Sequence, residues 1–164
     1  DKGDILRVFI GSPTDVVVER DLADEVVAVW NNKYSISRNC VVQCIRWEKH
    51  ATAGFGGPPQ EMINSQLASR CDALIAFFWA KPGAGGTIAE IEYFRERNMP
   101  VQLYFGRRPV AIDSDAKELR RMNALREQFM TEGLVRTYSD TGELRGLLEL
   151  DIARLIEELL DVSV

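Results

Sequence analysis

Short apolar segments of strand length alternate with longer segments of helical period along the whole chain. This alternation limits the possible folds more than any other feature, because apolar strands separated by helices are typical of a parallel sheet covered on both faces. "CDALIAFFWA" (Cys71 to Ala80) is the most continuously apolar segment, so we expect it to be the central strand. Four further strands are predicted in "ILRVFIG", "VVQCIRW", "MPVQLYFG" and "LVRTYS".

Five helices are predicted between and after these strands. The first follows Gly11 directly, with Ser12 as the expected N-cap and Pro13 as the first helical residue of "SPTDVVVERDLADEVVAVWNN". The strict alternation predicts an α/β flavodoxin-like fold, a three-layer sandwich whose five-stranded parallel sheet has the order 2-1-3-4-5. The other predicted helices are "QEMINSQLASR", "TIAEIEYFRERN", "SDAKELRRMNALREQFMTEG" and the final "LDIARLIEELLDVSV".

Composition limits the partners and the compartment. The 164 residues, 46% hydrophobic and 27% charged, are normal for one domain, and the net charge of -5 argues against nucleic acid or an anionic membrane as a partner. Three cysteines without framework spacing favour a reducing, cytoplasmic location. No apolar run is long enough to span a membrane. Because the chain starts at Asp1, we expect a single domain, residues 1–164, excised from a multidomain protein whose sensor or oligomerisation domain is a further partner.

A metal site is not expected from the few ligand residues in the sequence. Cys40 and Cys44 fall on one face of the second predicted strand, and the only histidine, His50, follows in the next loop. Further ligands and the tight cysteine spacing of a zinc site are missing. We therefore interpret His50 as a loop histidine.

The loops after the first three strands meet at the carboxyl edge of the predicted sheet. Open α/β sheets bind ligands there, beside the point where the strand order reverses. The first loop, "GSPT", offers backbone N–H groups and two hydroxyls to a phosphate, although the same pattern is also typical of an ordinary helix cap. The candidate substrate contacts in this loop are Gly11, Ser12, Pro13 and Thr14.

The second and third loops add five candidate contacts. Trp47 and Trp79 follow the ends of their strands, where an indole ring either stacks on a base or nicotinamide or closes the end of the core. Lys81 is a candidate phosphate contact, although an ordinary exposed loop lysine is the simpler and favoured interpretation. Gly83 permits a close approach of the backbone to a ligand. Thr87 opens the following helix and completes the set.

Two glutamates follow the glycine-rich turn in "AKPGAGGTIAEIEYF". At about 100° per residue, Glu90 and Glu92 point about 200° apart, so both cannot face the cleft. Glu92 lies one turn before Glu96, and two like charges at this spacing prefer water. Glu90 is therefore the candidate that faces the cleft. The simpler interpretation is that both are ordinary acids near a helix N-terminus, where the dipole favours negative charge.

Three segments resemble the bacterial branch of the Toll/interleukin-1 receptor (TIR) superfamily over about residues 5–106: "RVFIGSPTDVVVERDLADEVV", "GGPPQEMINSQLASRCDALIAFFWA" and "GTIAEIEYFRERNMPVQLYFG". In enzymatic TIR domains, a glutamate early in the helix after the third strand carries cleavage of the nicotinamide–ribose bond of NAD+. By its distance from the fourth strand, that glutamate corresponds to Glu90. The resemblance implies an NAD+ glycohydrolase in bacterial immune defence, with NAD+ as substrate, linear or cyclic ADP-ribose as product, and no cofactor.

One carboxylate is sufficient for this reaction, because the nicotinamide of NAD+ is already cationic and leaves as a neutral molecule without an acid. We expect the helix N-terminus to keep Glu90 ionised at neutral pH. The resemblance also implies self-association through TIR–TIR contacts, with the loop at residues 49–59 packing on the next copy. Animal relatives carry a tryptophan shortly before the glutamate, where this chain has Gly85 and Gly86, so the aromatic partner stays open.

Two alternatives remain open. "GTIAEIEYFRERNMPV" also resembles nucleoside deoxyribosyltransferases, which place a glutamate similarly but protonate a neutral base and use further acids. A non-catalytic TIR module that only recruits partners needs no glutamate in the cleft.

Overall fold

A sheet of five parallel strands runs through the middle of the protein. The computed structural model describes residues 2–11, 16–46, 67–79, 86–107, 115–133 and 135–162. The strands are β1 (Asp4–Gly11), β2 (Cys40–Arg46), β3 (Ala73–Phe78), β4 (Val101–Gly106) and β5 (Val135–Tyr138). The helices in the described ranges are α1 (Val17–Arg38), α2 (Gly86–Glu96), α3 (Ala116–Thr131) and α4 (Thr141–Val162).

The strand order is β2-β1-β3-β4-β5, which confirms the predicted topology. All four neighbouring pairs are parallel. The strand predicted to be central is the middle one, and all six residues of β3 are buried. The order reverses between β1 and β3, so the carboxyl ends of these two strands flank the switch point, where open α/β sheets bind ligands.

Two apolar clusters lie on opposite faces of the sheet and make the fold a three-layer sandwich. One cluster packs α1 and α4 on the sheet, with Trp30 and Ile152 among its members. The other packs α2 and α3 on the opposite face, with Phe94 and Phe129 among its members. Each helix therefore has its apolar stripe against one side of the sheet.

The α1 helix begins at Val17, with Val16 as its N-cap and no side-chain cap hydrogen bond. The predicted N-cap Ser12 and the predicted first helical residue Pro13 lie outside the described residues. Val16 is completely buried in the core. Burial of this apolar residue packs the start of α1 against the core. The helix also runs beyond the predicted segment to Arg38, and Asn39 in the left-handed conformation (φ 50°) ends it.

The ends of α3 carry clear local signals in the sequence, whereas the start of α4 does not lie where the sequence predicts it. Asp115 caps α3 by accepting a hydrogen bond from the Lys117 N–H at 2.8 Å, and Gly133 lies beyond its end with φ 74°. Helix α4 begins at Thr141, well before the predicted segment. The short helix predicted at residues 60–70 lies mostly outside the described residues, but residues 67 and 68 are helical.

Candidate active site

Glu90 turns inward from helix α2, and Glu92 faces solvent. Only 8% of Glu90 is exposed, whereas Ile91 and Phe94 on the same helix are completely buried. Glu92 is exposed. The difference in orientation predicted from helical spacing is therefore confirmed.

The Glu90 carboxyl group reaches over the end of strand β1. A Cβ atom added to Gly11 would lie 2.5 Å from Glu90 Oε2, closer than real Cβ contacts come. The same added atom would lie 3.6 Å from Thr87 Cγ2 and 3.5 Å from Leu74 Cδ1. A carboxyl group from one helical layer thus occupies space that the absent side chain of Gly11 leaves open. We call Gly11, Thr87 and Glu90 together the Glu90 site.

Burial raises the pKa of Glu90 to about 8. This corrects the expectation that the helix N-terminus keeps the group ionised at neutral pH. Helix α2 begins at Gly86, and its first turn contains no acidic residue, so Glu90 lies beyond the turn in which the dipole acts strongly. The loss of hydration on burial favours the neutral acid and dominates.

The structure brings together three of the predicted site residues, namely those of the Glu90 site. Thr87 is 7% exposed, so it lies in the wall of the site and not on the open surface. Trp79 follows β3 directly, but it packs against the core cluster under α1 and α4, on the other face of the sheet from α2. Its described packing therefore supports the core-closing interpretation.

Several predictions fall outside the described residues. They concern Ser12, Pro13, Thr14, Trp47, Lys81, Gly83, His50 and the loop at residues 49–59.

The sequence analysis did not identify a buried arginine, Arg46, near the carboxyl edge of the sheet. Arg46 ends β2, and its Nη1 atom lies 2.7 Å from Asp21 Oδ1 and 2.6 Å from Asp24 Oδ2, both on α1. Only 3% of its side chain is exposed. The sequence does contain a pattern that identifies Arg46, because side chains alternate along a strand and Val42, Cys44 and Arg46 therefore share one face. Asp21 and Asp24, three residues apart on α1, lie on the same face of that helix, and this face packs against the Arg46 side of β2.

A second buried glutamate was also missed. Glu19 lies in the first turn of α1 and is completely buried, and its neighbour Arg20 is 8% exposed. Glu19 stands at the start of the stripe that continues through Leu22 and Val26, so its helical spacing could have identified it. Because α1 follows β1, this first turn belongs to the carboxyl edge of the sheet.

In the part of the chain that the structure describes, no group of three or more His, Cys, Asp or Glu residues is arranged to hold a metal ion. Cys40, Cys44 and Cys71 are not joined in disulfide bonds. Among the described helices, none combines the length and the apolar character needed to cross a membrane.

No protein-family model matches the chain, and no curated protein matches it. Among solved structures, the chain is similar to a conserved protein from Enterococcus faecalis V583, with a TM-score of 0.50 and 13% sequence identity. The match covers 90% of this chain and 99% of the other. At this identity, the likeness concerns the fold alone.

Proposed function

We propose that this chain is a TIR-type NAD+ glycohydrolase in which Glu90 supports cleavage of the nicotinamide–ribose bond. One observation carries the proposal: a buried carboxyl group lies over Gly11 at the end of β1, beside the switch point of the sheet. Ligands of open α/β sheets bind at this edge. A carboxylate acts strongly on developing positive charge there, because buried surroundings screen it weakly.

The chemistry requires Glu90 in its ionised form. The bond that breaks joins ribose C1′ to the pyridinium nitrogen, which keeps the electron pair and leaves as neutral nicotinamide. Water then adds to C1′ and loses a proton. Although the pKa of Glu90 is about 8 in the unliganded protein, a cationic nicotinamide ring beside the carboxyl group lowers it, because opposite charge favours the ionised form. Substrate binding thus helps to generate the reactive carboxylate.

Self-association is the second part of the proposal. The TIR resemblance supports a site that is completed between neighbouring copies, with the loop at residues 49–59 against the next protomer. If this is correct, nicotinamide release per molecule increases with protein concentration, and fusion to an oligomerising domain increases it further. Control of assembly then controls the activity, in keeping with a role in bacterial immune defence.

The decisive experiment measures nicotinamide release from NAD+ by chromatography, with concentrated or artificially oligomerised protein. We expect Glu90→Gln to reduce the rate by roughly a hundred- to a thousandfold, because it removes the charge that stabilises the transition state. Glu92→Gln is the matched control, since it makes the same change on the exposed side of the same helix. Its rate is expected to stay within about twofold of the parent.

Equal rates in the parent and in Glu90→Ala would refute the assignment. Absence of turnover in the parent, together with self-association in solution, would favour a non-catalytic TIR module. Thermal unfolding of each variant shows whether a lost rate reflects chemistry or loss of the fold.

A nucleoside deoxyribosyltransferase is the second candidate, and Glu19 is the observation that favours it. Exchange of a neutral nucleobase needs an acid for the leaving group besides the carboxylate that acts on the sugar. Glu19 is a second buried carboxyl group at the same edge, contributed by the opposite helical layer. Incubation with a deoxynucleoside and a different free base distinguishes the two enzymes, because only the transferase forms the exchanged nucleoside.

A further inference from the structure

A second polar site lies at the amino-terminal edge of the sheet, away from Glu90. Gln102 and Tyr104 of β4, Arg136 of β5 and Asp151 of α4 line a cavity of about 370 Å³, which we call the Arg136 groove. Strand β5 pairs with β4 only from Leu103 onwards, so the groove lies where β4 extends past the start of β5. A volume of this size is in the range that small ligands occupy.

Asp151 is held firmly at the base of this groove. Its Oδ2 atom accepts a hydrogen bond from the Tyr104 hydroxyl at 2.7 Å. The Gln102 Nε2 group donates to the Asp151 backbone carbonyl at 3.1 Å. Only 8% of the Asp151 side chain is exposed. These contacts fix the carboxylate before any ligand arrives.

The fixed carboxylate in turn orients Arg136. Arg136 Nε lies 2.8 Å from Asp151 Oδ2, while 44% of the arginine side chain is exposed. Within the described ranges, neither terminal nitrogen of Arg136 has a hydrogen-bond or ion-pair partner. Arg136 also lines the groove, so its two terminal nitrogens are available there to bind a carboxylate through two parallel hydrogen bonds.

We propose that the Arg136 groove binds a small zwitterion, an α-amino acid, with its carboxylate on Arg136 and its ammonium group toward Asp151. Arg136 and Asp151 together are neutral. A simple anion on Arg136 would leave a net negative charge beside the buried Asp151, which costs free energy in surroundings that screen charge weakly. A zwitterion supplies a positive charge next to its carboxylate and keeps the groove neutral.

An NMR titration of the purified protein with L-alanine, acetate and methylammonium tests the proposal through the Arg136 Nε–H and Val135 amide signals. We expect saturable shifts with L-alanine, and at least about tenfold weaker binding of acetate and of methylammonium, each of which offers only one of the two charges. Arg136→Lys keeps the charge beside Asp151 but loses the planar fork, so it is expected to bind L-alanine about tenfold more weakly.

Arg121→Lys is the matched control, because Arg121 is an exposed arginine on α3 that does not line the groove. It is expected to bind L-alanine like the parent. Acetate binding as tightly as L-alanine would overturn the proposal, since it would indicate a simple anion site. Unchanged affinity in Arg136→Lys, or no saturable shift up to roughly 100 mM L-alanine, would overturn it as well.

Discussion

The two edges of the sheet each hold a buried carboxyl group, and the two groups differ in how the protein treats their charge. Asp151 at the amino edge is 6% exposed, and Glu90 at the carboxyl edge is 8% exposed. Asp151 lies within hydrogen-bonding or ion-pairing distance of both Tyr104 and Arg136. Glu90 has its pKa raised to about 8, with burial as the cause. The two similarly buried acids thus differ in their surroundings: Asp151 pairs with Arg136, whereas burial raises the pKa of Glu90.

This difference indicates what each acid is for. The charge of Asp151 is used inside the protein, where it fixes Arg136 and holds α4 on the sheet. The charge of Glu90 costs free energy in the unliganded protein and becomes favourable only beside a cation. Acids with strongly perturbed pKa values cluster at functional sites for this reason. On the two proposals above, the carboxyl edge carries the chemistry and the amino edge positions a ligand.

The largest expected effect is on the pH dependence of stability. Because the pKa of Glu90 is raised from 4.5 to about 8, the folded protein keeps a proton that the unfolded chain releases between these values. The free energy of unfolding therefore falls as pH rises through this window, by about 1.4 kcal/mol per pH unit from this group. In Glu90→Gln, the amide that replaces the carboxyl group has no proton to lose in this pH range. Relative to the parent, this variant is expected to gain roughly 3 to 4 kcal/mol of stability between pH 5 and pH 8.

Urea unfolding of both proteins at several pH values measures this difference directly. Glu92→Gln serves as the control, because an exposed carboxyl group changes its environment little on unfolding, and its curve is expected to run parallel to that of the parent. Parallel curves for the parent and Glu90→Gln would contradict the raised pKa. Glu90 and Asp151 would then not differ in the way that the raised pKa of Glu90 requires.

A smaller effect is expected at the amino edge. Asp151→Ala removes the acceptor for the buried Tyr104 hydroxyl and the partner of Arg136, and we expect it to reduce the free energy of unfolding by about 2 to 3 kcal/mol near neutral pH. Glu149→Ala, an exposed change on the same helix, is expected to cost less than about 0.5 kcal/mol. Thermal unfolding compares the two variants. Equal losses would show that Asp151 contributes no more than a surface acid.

The fold could be predicted from the sequence because its main signals are repeated along the chain. Alternating apolar strands and helical segments predict the strand order, and the continuous apolar character of β3 identifies the middle strand. The apolar N-cap of α1 could not be predicted in the same way, because the burial of Val16 depends on the tertiary structure and has no local signal.

The candidate site was predicted in part. Helical spacing alone separates Glu90 from Glu92, but it cannot give the pKa of Glu90, which depends on how completely the sheet and helix remove water from the carboxyl group. The contact between Glu90 and Gly11 joins residues far apart in sequence and has no local signal. The Arg46 ion pairs with α1 have a local pattern on each element, yet only the fold brings the two elements together.

The smallest predicted effect tests the contact between Glu90 and Gly11 most directly. In Gly11→Ala, the new Cβ atom would lie 2.5 Å from Glu90 Oε2, so the carboxyl group must move. We expect a cost of about 1 kcal/mol at pH 5, where Glu90 is protonated, from the forced rotamer change. The same substitution in a Glu90→Ala background removes the obstructing atom and is expected to cost almost nothing, so the double-mutant cycle isolates the contact. If the new methyl group drives the carboxyl group toward water, its pKa falls and the pH slope of unfolding flattens. An equal cost in both backgrounds, with an unchanged slope, would show that Gly11 does not make room for Glu90.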